Sequence, residues 1–68
     1  MATPQKMYDW IMARFDDGMT VYVASYGRIV KCRAKHRAMF RVRGDHCELQ
    51  RGKRWDSINY CKITARAE

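Results

Sequence analysis

Residues 3–25 read TPQKMYDWIMARFDDGMTVYVAS, and the hydrophobic period changes within this stretch. Thr3 is a suitable N-cap, Pro4 suits the first helical position, and Gly18 can end a helix. Between them, residues three or four positions apart form one largely apolar helical face. The members of this face are Met7, Trp10, Ile11, Arg14 and Phe15. The stretch therefore predicts an amphipathic helix over about residues 4–16.

A competing interpretation makes residues 10–15 a strand that turns back at residues 16–18. The helical spacing and the Thr-Pro start favour the helix. From Met19 onward, β-branched and aromatic residues dominate, and this is typical of strands. The predicted strands cover residues 19–25, 28–33, 38–43, 46–50, 53–55 and 58–64. In the second strand, the adjacent Ile29 and Val30 predict a bulge or a change of face.

Tight turns between consecutive strands require antiparallel pairing. The predicted fold class is α+β, with one N-terminal amphipathic helix packed on a small, strongly bent antiparallel sheet of four to six strands. An SH3-like or partly open barrel fits this order of elements. The 68 residues predict a single domain, 1–68, because a chain of this length buries only a small core.

The composition excludes several classes of protein. An apolar fraction of 47% is too high for a disordered chain. No apolar run reaches the roughly 20 residues that cross a bilayer, and the N-terminus does not resemble a signal peptide. We therefore expect a cytoplasmic protein that does not bind membranes. We do not expect an enzyme, since Ser25 and Ser57 have no neighbouring histidine or nucleophile-elbow glycines.

The cysteines and histidines predict neither a disulfide framework nor a metal site. Cys32, Cys47 and Cys61 are odd in number and irregularly spaced. His36 and His46 add two further metal-binding groups, but no Cys-x-x-Cys pair is present. We expect buried thiols and no cofactor.

The positive charge is concentrated in the middle of the chain. Ten of the fourteen Lys and Arg residues fall between Arg28 and Arg54, where only Asp45 and Glu48 oppose them, so this segment carries +8 (10 − 2). The flanking segments sum to −1 and zero. Such an excess attracts polyanions.

The alternation of residues 38–43 predicts where this charge points. Arg41 and Arg43 fall on the strand face opposite Phe40 and Val42. If the strands on either side of residues 34–37 are neighbours, their outward cations form one patch. The predicted cationic site consists of Arg28, Lys31, Arg33, Lys35, Arg37, Arg41, Arg43, Arg51, Lys53 and Arg54.

Aromatic residues beside these cations can stack on unpaired bases. Tyr22 lies opposite Val21 and Val23 in the alternation, and Tyr26 occupies a turn next to the first cation of the segment. These two tyrosines complete the predicted nucleic-acid site. Trp55 and Tyr60 are expected in the core, which needs bulky side chains in so small a domain.

Two functions fit this pattern. The first is a small basic DNA- or RNA-binding protein that grips the phosphate backbone with low sequence specificity. The alternative is a phage- or mobile-element-type effector that binds and inhibits an acidic host protein. A homodimer formed through sheet edges is compatible with both functions.

Overall fold

The computed structural model describes residues 3–25 and 27–67, and it describes their side chains except at positions 25 and 59–62. Within this part of the chain there are two helices, α1 (Pro4–Asp16) and the 3₁₀ helix Ala34–Met39. The same part contains six strands: β1 (Met19–Ser25), β2 (Arg28–Cys32), β3 (Phe40–Arg43), β4 (His46–Arg51), β5 (Arg54–Ser57) and β6 (Asn59–Ala67). Neither described helix has the length and apolar character needed to cross a bilayer.

Helix α1 begins and ends at the residues that the sequence predicts. The Thr3 Oγ1 atom accepts a hydrogen bond from the Lys6 N–H at 3.2 Å, and Pro4 lies in the first turn. The helix gives way to β1 at Gly18, whose φ of 74° is in the left-handed region that glycine adopts without strain. The N-terminal helix is confirmed, and the hairpin interpretation of residues 10–18 is wrong.

The strands form two sheets, and the prediction of one bent sheet is wrong in this respect. Sheet A has the strand order β2-β1-β6, and sheet B has the order β3-β4-β5. All the described pairs are antiparallel, as the tight turns predict. Strand β6 returns from the end of the chain to pair with β1. Within residues 3–25 and 27–67, each sheet has two edge strands and the sheets do not close into a barrel. An SH3-like arrangement stays a prediction.

The 3₁₀ helix separates the two sheets in the chain. The sequence predicts that a strand starts at Ala38, but Ala38 and Met39 belong to the 3₁₀ helix, and β3 begins at Phe40. Arg33 caps the 3₁₀ helix and is not part of β2. Its N–H donates to His36 Nδ1 at 3.0 Å. The chain thus leaves sheet A after Cys32 and passes through the 3₁₀ helix before it enters sheet B at β3.

Within sheet A, the irregularity does not lie where the sequence predicts it. The register between β1 and β2 runs without interruption from Val21↔Cys32 to Ser25↔Arg28. Ile29 therefore points outward and is 66% exposed, with no bulge at this position. The register shift lies instead between β1 and β6, at Tyr22 and Ala24.

The core lies between α1 and the inner faces of both sheets. The rings of Phe15 in α1 and Phe40 in β3 meet edge to face, with their centroids 5.7 Å apart. Helix α1 also packs against β1 and β4, so it joins the two sheets. The buried apolar residues are Met7, Ile11, Phe15, Val21, Val23, Cys32, Phe40, Cys47, Leu49 and Ile58. Since both inner faces contribute to one core, the outer faces of sheets A and B point away from it.

The prediction that Trp55 belongs to the core is wrong. Trp55 is half-buried and pairs with Gln50 on the outer face of sheet B. Its neighbour Asp56 takes the inward position opposite Leu49 and is 4% exposed. The side chain of Tyr60 lies outside the part of the structure that is described.

Candidate nucleic-acid interface

The ten cations of the central segment do not lie on one sheet. Strands β2 and β3 lie in different sheets, so the cations that follow Tyr26 and those of β3 cannot be neighbours across a ladder. Residue Tyr26 itself lies outside the described residues. The cations divide into a group on sheet A and the 3₁₀ helix, and a group on sheet B and its β4–β5 turn.

On β2, only one of the predicted cations points outward from the sheet. Lys31 pairs with Tyr22 across the ladder and shares its face. Arg28 falls on the same side of the strand as Val30 and Cys32, although it is exposed at the strand end. The prediction that Arg28 shares a face with Lys31 is therefore wrong, because the strand has no bulge to change its alternation.

The outer face of sheet A places an aromatic ring between two cations. Lys31 lies across the ladder from Tyr22 on one side, and Thr64 lies across on the other. The Arg66 guanidinium carbon is 5.8 Å from the centroid of the Tyr22 ring, which is within cation–π range. Tyr22 is half-buried and Lys31 is exposed. We call Tyr22, Lys31 and Arg66 the sheet A platform.

No acidic residue occurs in any strand of sheet A. Strands β1, β2 and β6 together contain Arg28, Lys31, Lys62 and Arg66, but no Asp or Glu. By contrast, β4 and β5 of sheet B contain Glu48 and Asp56. On the face that carries Tyr22, Lys31 and Arg66 therefore lie with no Asp or Glu from these three strands.

Arg66 is the interface residue that sequence reasoning misses. The last strand is predicted to end at Thr64, and the net charge of residues 55–68 is zero. The predicted cationic site therefore contains no residue of this segment. In the structure β6 continues to Ala67, and Arg66 pairs with Thr20. Polar Thr64 and Arg66 alternate with apolar Ile63 and Ala65. This alternation would have predicted a longer last strand.

A shallow cleft continues the positive surface beyond the end of β2. Gly18, Met19, Arg33, Ala34 and Lys35 line it, and its volume is about 250 Å³. It lies where β1 begins, since Met19 is the first residue of that strand and pairs with the last residue of β6. Two predicted cations, Arg33 and Lys35, thus border one concave surface beside sheet A.

On β3 of sheet B, Arg41 contacts an acidic and an aromatic residue, whereas Arg43 is exposed. The predicted outward position of Arg41 and Arg43 agrees with the burial of Phe40 on the opposite face. The Arg41 Nε atom donates to Glu48 Oε1 at 2.8 Å, and its guanidinium carbon lies 4.0 Å from the centroid of the Trp55 ring. Arg43 is exposed.

Two further cations form ion pairs away from sheet A. Arg37 contacts Asp16 at the end of α1 at 2.6 Å, and the Arg54 Nε lies 3.3 Å from the buried Asp56 Oδ1. The first pair ties the basic segment to α1, whereas the second is local to β5. Arg51 is half-buried and lies opposite Arg54 in the ladder.

The exposed cations without a carboxylate within 4.0 Å are the ones left for a ligand. Among the described residues these are Lys6, Arg28, Lys31, Lys35, Arg43, Lys53 and Arg66. The same part of the chain holds no cluster of three or more His, Cys, Asp or Glu side chains that would bind a metal ion.

Burial makes Cys32 and Cys47 unreactive. Desolvation raises the pKa of both thiols from 9.0 to about 11; Arg51 partly opposes this shift at Cys32, whereas Glu48 adds to it at Cys47. At pH 8 only about 0.1% of each thiol would then be ionised, and the thiolate is the reactive form. In a Cys61→Ser protein, we expect both thiols to react with a disulfide reagent about 100-fold more slowly before unfolding than in urea.

Absorbance of the coloured thiolate that the disulfide reagent releases measures this difference. Rapid reaction of two thiols in the folded protein would contradict it.

The same pKa values predict an effect of pH on stability. Between pH 9 and 11 the folded state binds more protons than the unfolded state. The free energy of unfolding should therefore fall as the pH rises through this range.

Comparison of the chain with protein-family models, with curated proteins and with solved structures gives no match.

Proposed function

We propose that this protein binds nucleic acid and grips the phosphate backbone through the sheet A platform and the adjacent cleft. The observation that carries the proposal is the position of Tyr22 between Lys31 and Arg66, on a sheet whose strands contain no acidic residue. Cations on such a face release counterions when they neutralise phosphates. The aromatic ring offers a stacking surface for an unpaired base.

The strand geometry supports a contact with several phosphates. Lys31 and Arg66 lie on strands on either side of β1 and are offset by two residues along it. They are about 12 Å apart at the backbone, since neighbouring strands are about 4.8 Å apart and each residue rises about 3.4 Å. Arg33 and Lys35 continue the surface at one end. Lys31, Lys35 and Arg66 would neutralise about three phosphates, with little dependence on sequence.

Fluorescence anisotropy with labelled 20-mers tests the proposal. Duplex DNA, single-stranded DNA and single-stranded RNA are titrated over a salt series from 20 to 300 mM. With about three phosphate contacts, the slope of log K against log salt should be about −2.7 for duplex DNA and about −2.1 for single strands. Dissociation constants above about 10 µM for all three ligands at the lowest salt would overturn the proposal. That outcome would favour an acidic protein as the partner.

The proposal extends to the cellular location and the oligomeric state of the protein. A nucleic-acid-binding protein of this kind would act in the cytoplasm. The free edges of sheets A and B would allow a homodimer in which two platforms act together.

A further inference from the structure

The side chain of Arg41 on sheet B is held in one orientation by two different contacts. Arg41 starts on β3, lies beside Glu48 on β4, and reaches the Trp55 ring on β5. Its guanidinium carbon lies 4.0 Å from the ring centroid. The hydrogen bond from its Nε to Glu48, at 2.8 Å, limits rotation within the guanidinium plane. The side chain therefore reaches across all three strands of the sheet in a defined pose.

These two contacts leave one edge of the guanidinium without a partner. The Nε atom is bound to Glu48, but the Nη1 and Nη2 atoms of Arg41 donate no hydrogen bond within residues 3–25 and 27–67. The side chain is 34% exposed, so solvent and ligands can reach it. Two N–H donors of fixed relative geometry match a ligand with two neighbouring acceptors.

The charges of Arg41 and Glu48 together favour a neutral pair of acceptors over a phosphate. Glu48 is mostly buried, with a side-chain exposure of 13%, and it offsets the charge of Arg41. A phosphate brought to this position would be attracted by Arg41 and repelled by Glu48. A neutral acceptor pair avoids this repulsion. The O6 and N7 atoms of guanine form such a pair, and arginine commonly binds both together.

We propose that Arg41, oriented by Trp55 and Glu48, binds the O6/N7 edge of guanine in single-stranded nucleic acid. This inference rests on the proposed function but concerns a different surface. The protein measures at most 29 Å along its longest axis. A 20-nucleotide strand spans about 68 Å even at the spacing of a stacked helix. One strand can therefore contact both the sheet A platform and Arg41.

The test compares three labelled 20-mers by fluorescence anisotropy. The first contains only thymine, the second contains four guanines that are each flanked by thymines, and the third carries 7-deazaguanine at the same four positions. The 7-deaza base lacks the N7 acceptor but keeps O6. We expect the guanine strand to bind about 5- to 150-fold more tightly than the deaza strand. The thymine strand reports the sequence-independent grip.

Variants separate Arg41 from the rest of the surface. Arg41→Lys keeps the charge but loses the two-donor edge, so the guanine preference should fall below about twofold while thymine binding changes little. Arg14→Lys is the matched control, because Arg14 also lies over a tryptophan, Trp10, at 5.0 Å. Its Nη2 atom is directed at Asp17, and this variant should retain the preference. Glu48→Gln keeps an acceptor for Arg41 Nε and should also retain the preference.

The outcomes distinguish this inference from the proposed function. Failure of every strand to bind overturns both. Equal binding of the guanine and deaza strands, with normal thymine binding, overturns only the role of Arg41. If Arg41→Lys does not fold, the deaza comparison and Glu48→Gln still give the answer. If Glu48→Gln strengthens binding to all three strands equally, with no deaza effect, Arg41 binds phosphate and the inference is wrong. Displacement of the guanine strand by guanosine monophosphate, but not by adenosine monophosphate, supports recognition of the guanine base.

Discussion

Replacement of Lys31 and Arg66 by glutamine is expected to weaken nucleic-acid binding about 60-fold at 0.1 M salt. Each phosphate contact contributes about a factor of eight at this salt concentration through counterion release. The two residues lie on either side of Tyr22, on a sheet whose strands contain no Asp or Glu. The slope of log K against log salt should become less steep by about 1.8 for duplex DNA. Anisotropy titrations of the double variant over the salt series measure both effects.

The matched control removes two charges from a different surface. Lys6→Gln with Arg14→Gln changes the net charge by the same amount, but both residues lie on α1, away from the platform. This control should lower affinity only a few-fold, through the loss of general attraction. If the two double variants lose affinity equally, binding depends on net charge alone, and the platform has no special role. Circular dichroism of both variants should match the parent protein, since Lys31 is exposed and neither Lys31 nor Arg66 belongs to the core.

Replacement of Phe15 by alanine is expected to lower the free energy of unfolding by about 3–5 kcal/mol. Phe15 is 2% exposed and meets Phe40 edge to face. It thus links α1 to sheet B, while the same helix also packs on β1 of sheet A. The total stability of a chain of this length is about 3–10 kcal/mol. The variant should therefore lose about a third or more of its stability, and its urea midpoint should fall accordingly. Urea titration followed by circular dichroism measures the loss.

A substitution on the surface provides the control for this experiment. Ile29 is also a large apolar residue, but it is 66% exposed on the outer face of sheet A. Ile29→Ala should change the free energy of unfolding by no more than about 0.5 kcal/mol. A Phe15→Ala protein with an unchanged urea midpoint would mean that α1 does not hold the two sheets together.

The helix and its caps could be predicted because their signals are local. Thr3, Pro4 and Gly18 act on residues at most four positions away, and the spacing of Met7, Ile11 and Phe15 specifies one buried face. The outward position of Arg41 follows in the same way, because alternation along one strand needs no information about its neighbours.

The partner of each strand could not be predicted from the same signals. Tyr22 pairs with Thr64 in β6, and no pattern within either strand specifies the other. The sequence also does not show that the chain leaves sheet A after Cys32 and passes through the 3₁₀ helix into a second sheet. The sequence therefore predicts one patch for the cations of β2 and β3. In the structure they lie on different sheets.

The positions of Trp55 and Asp56 show a further limit. Hydrophobicity alone favours the tryptophan in the core, but the ladder of β4 and β5 places Asp56 opposite Leu49 and turns Trp55 outward. Asp56 keeps an ion pair with Arg54, and Trp55 packs against Arg41. The register of a strand moves all its side chains together, so one residue cannot change face without the others.

The amino-acid sequence by itself determined the order of elements, the caps of α1 and the excess of positive charge in residues 28–54. These properties depend on composition and on residues close together in the chain. Only the tertiary structure showed which cations face the same way, and it brought Arg66 beside Tyr22 and Arg41 over Trp55. The physical reason is that sheet pairing joins strands that are distant in sequence. The charge could therefore be counted from the sequence, but the surface that carries it depends on the pairing of β1 with β6.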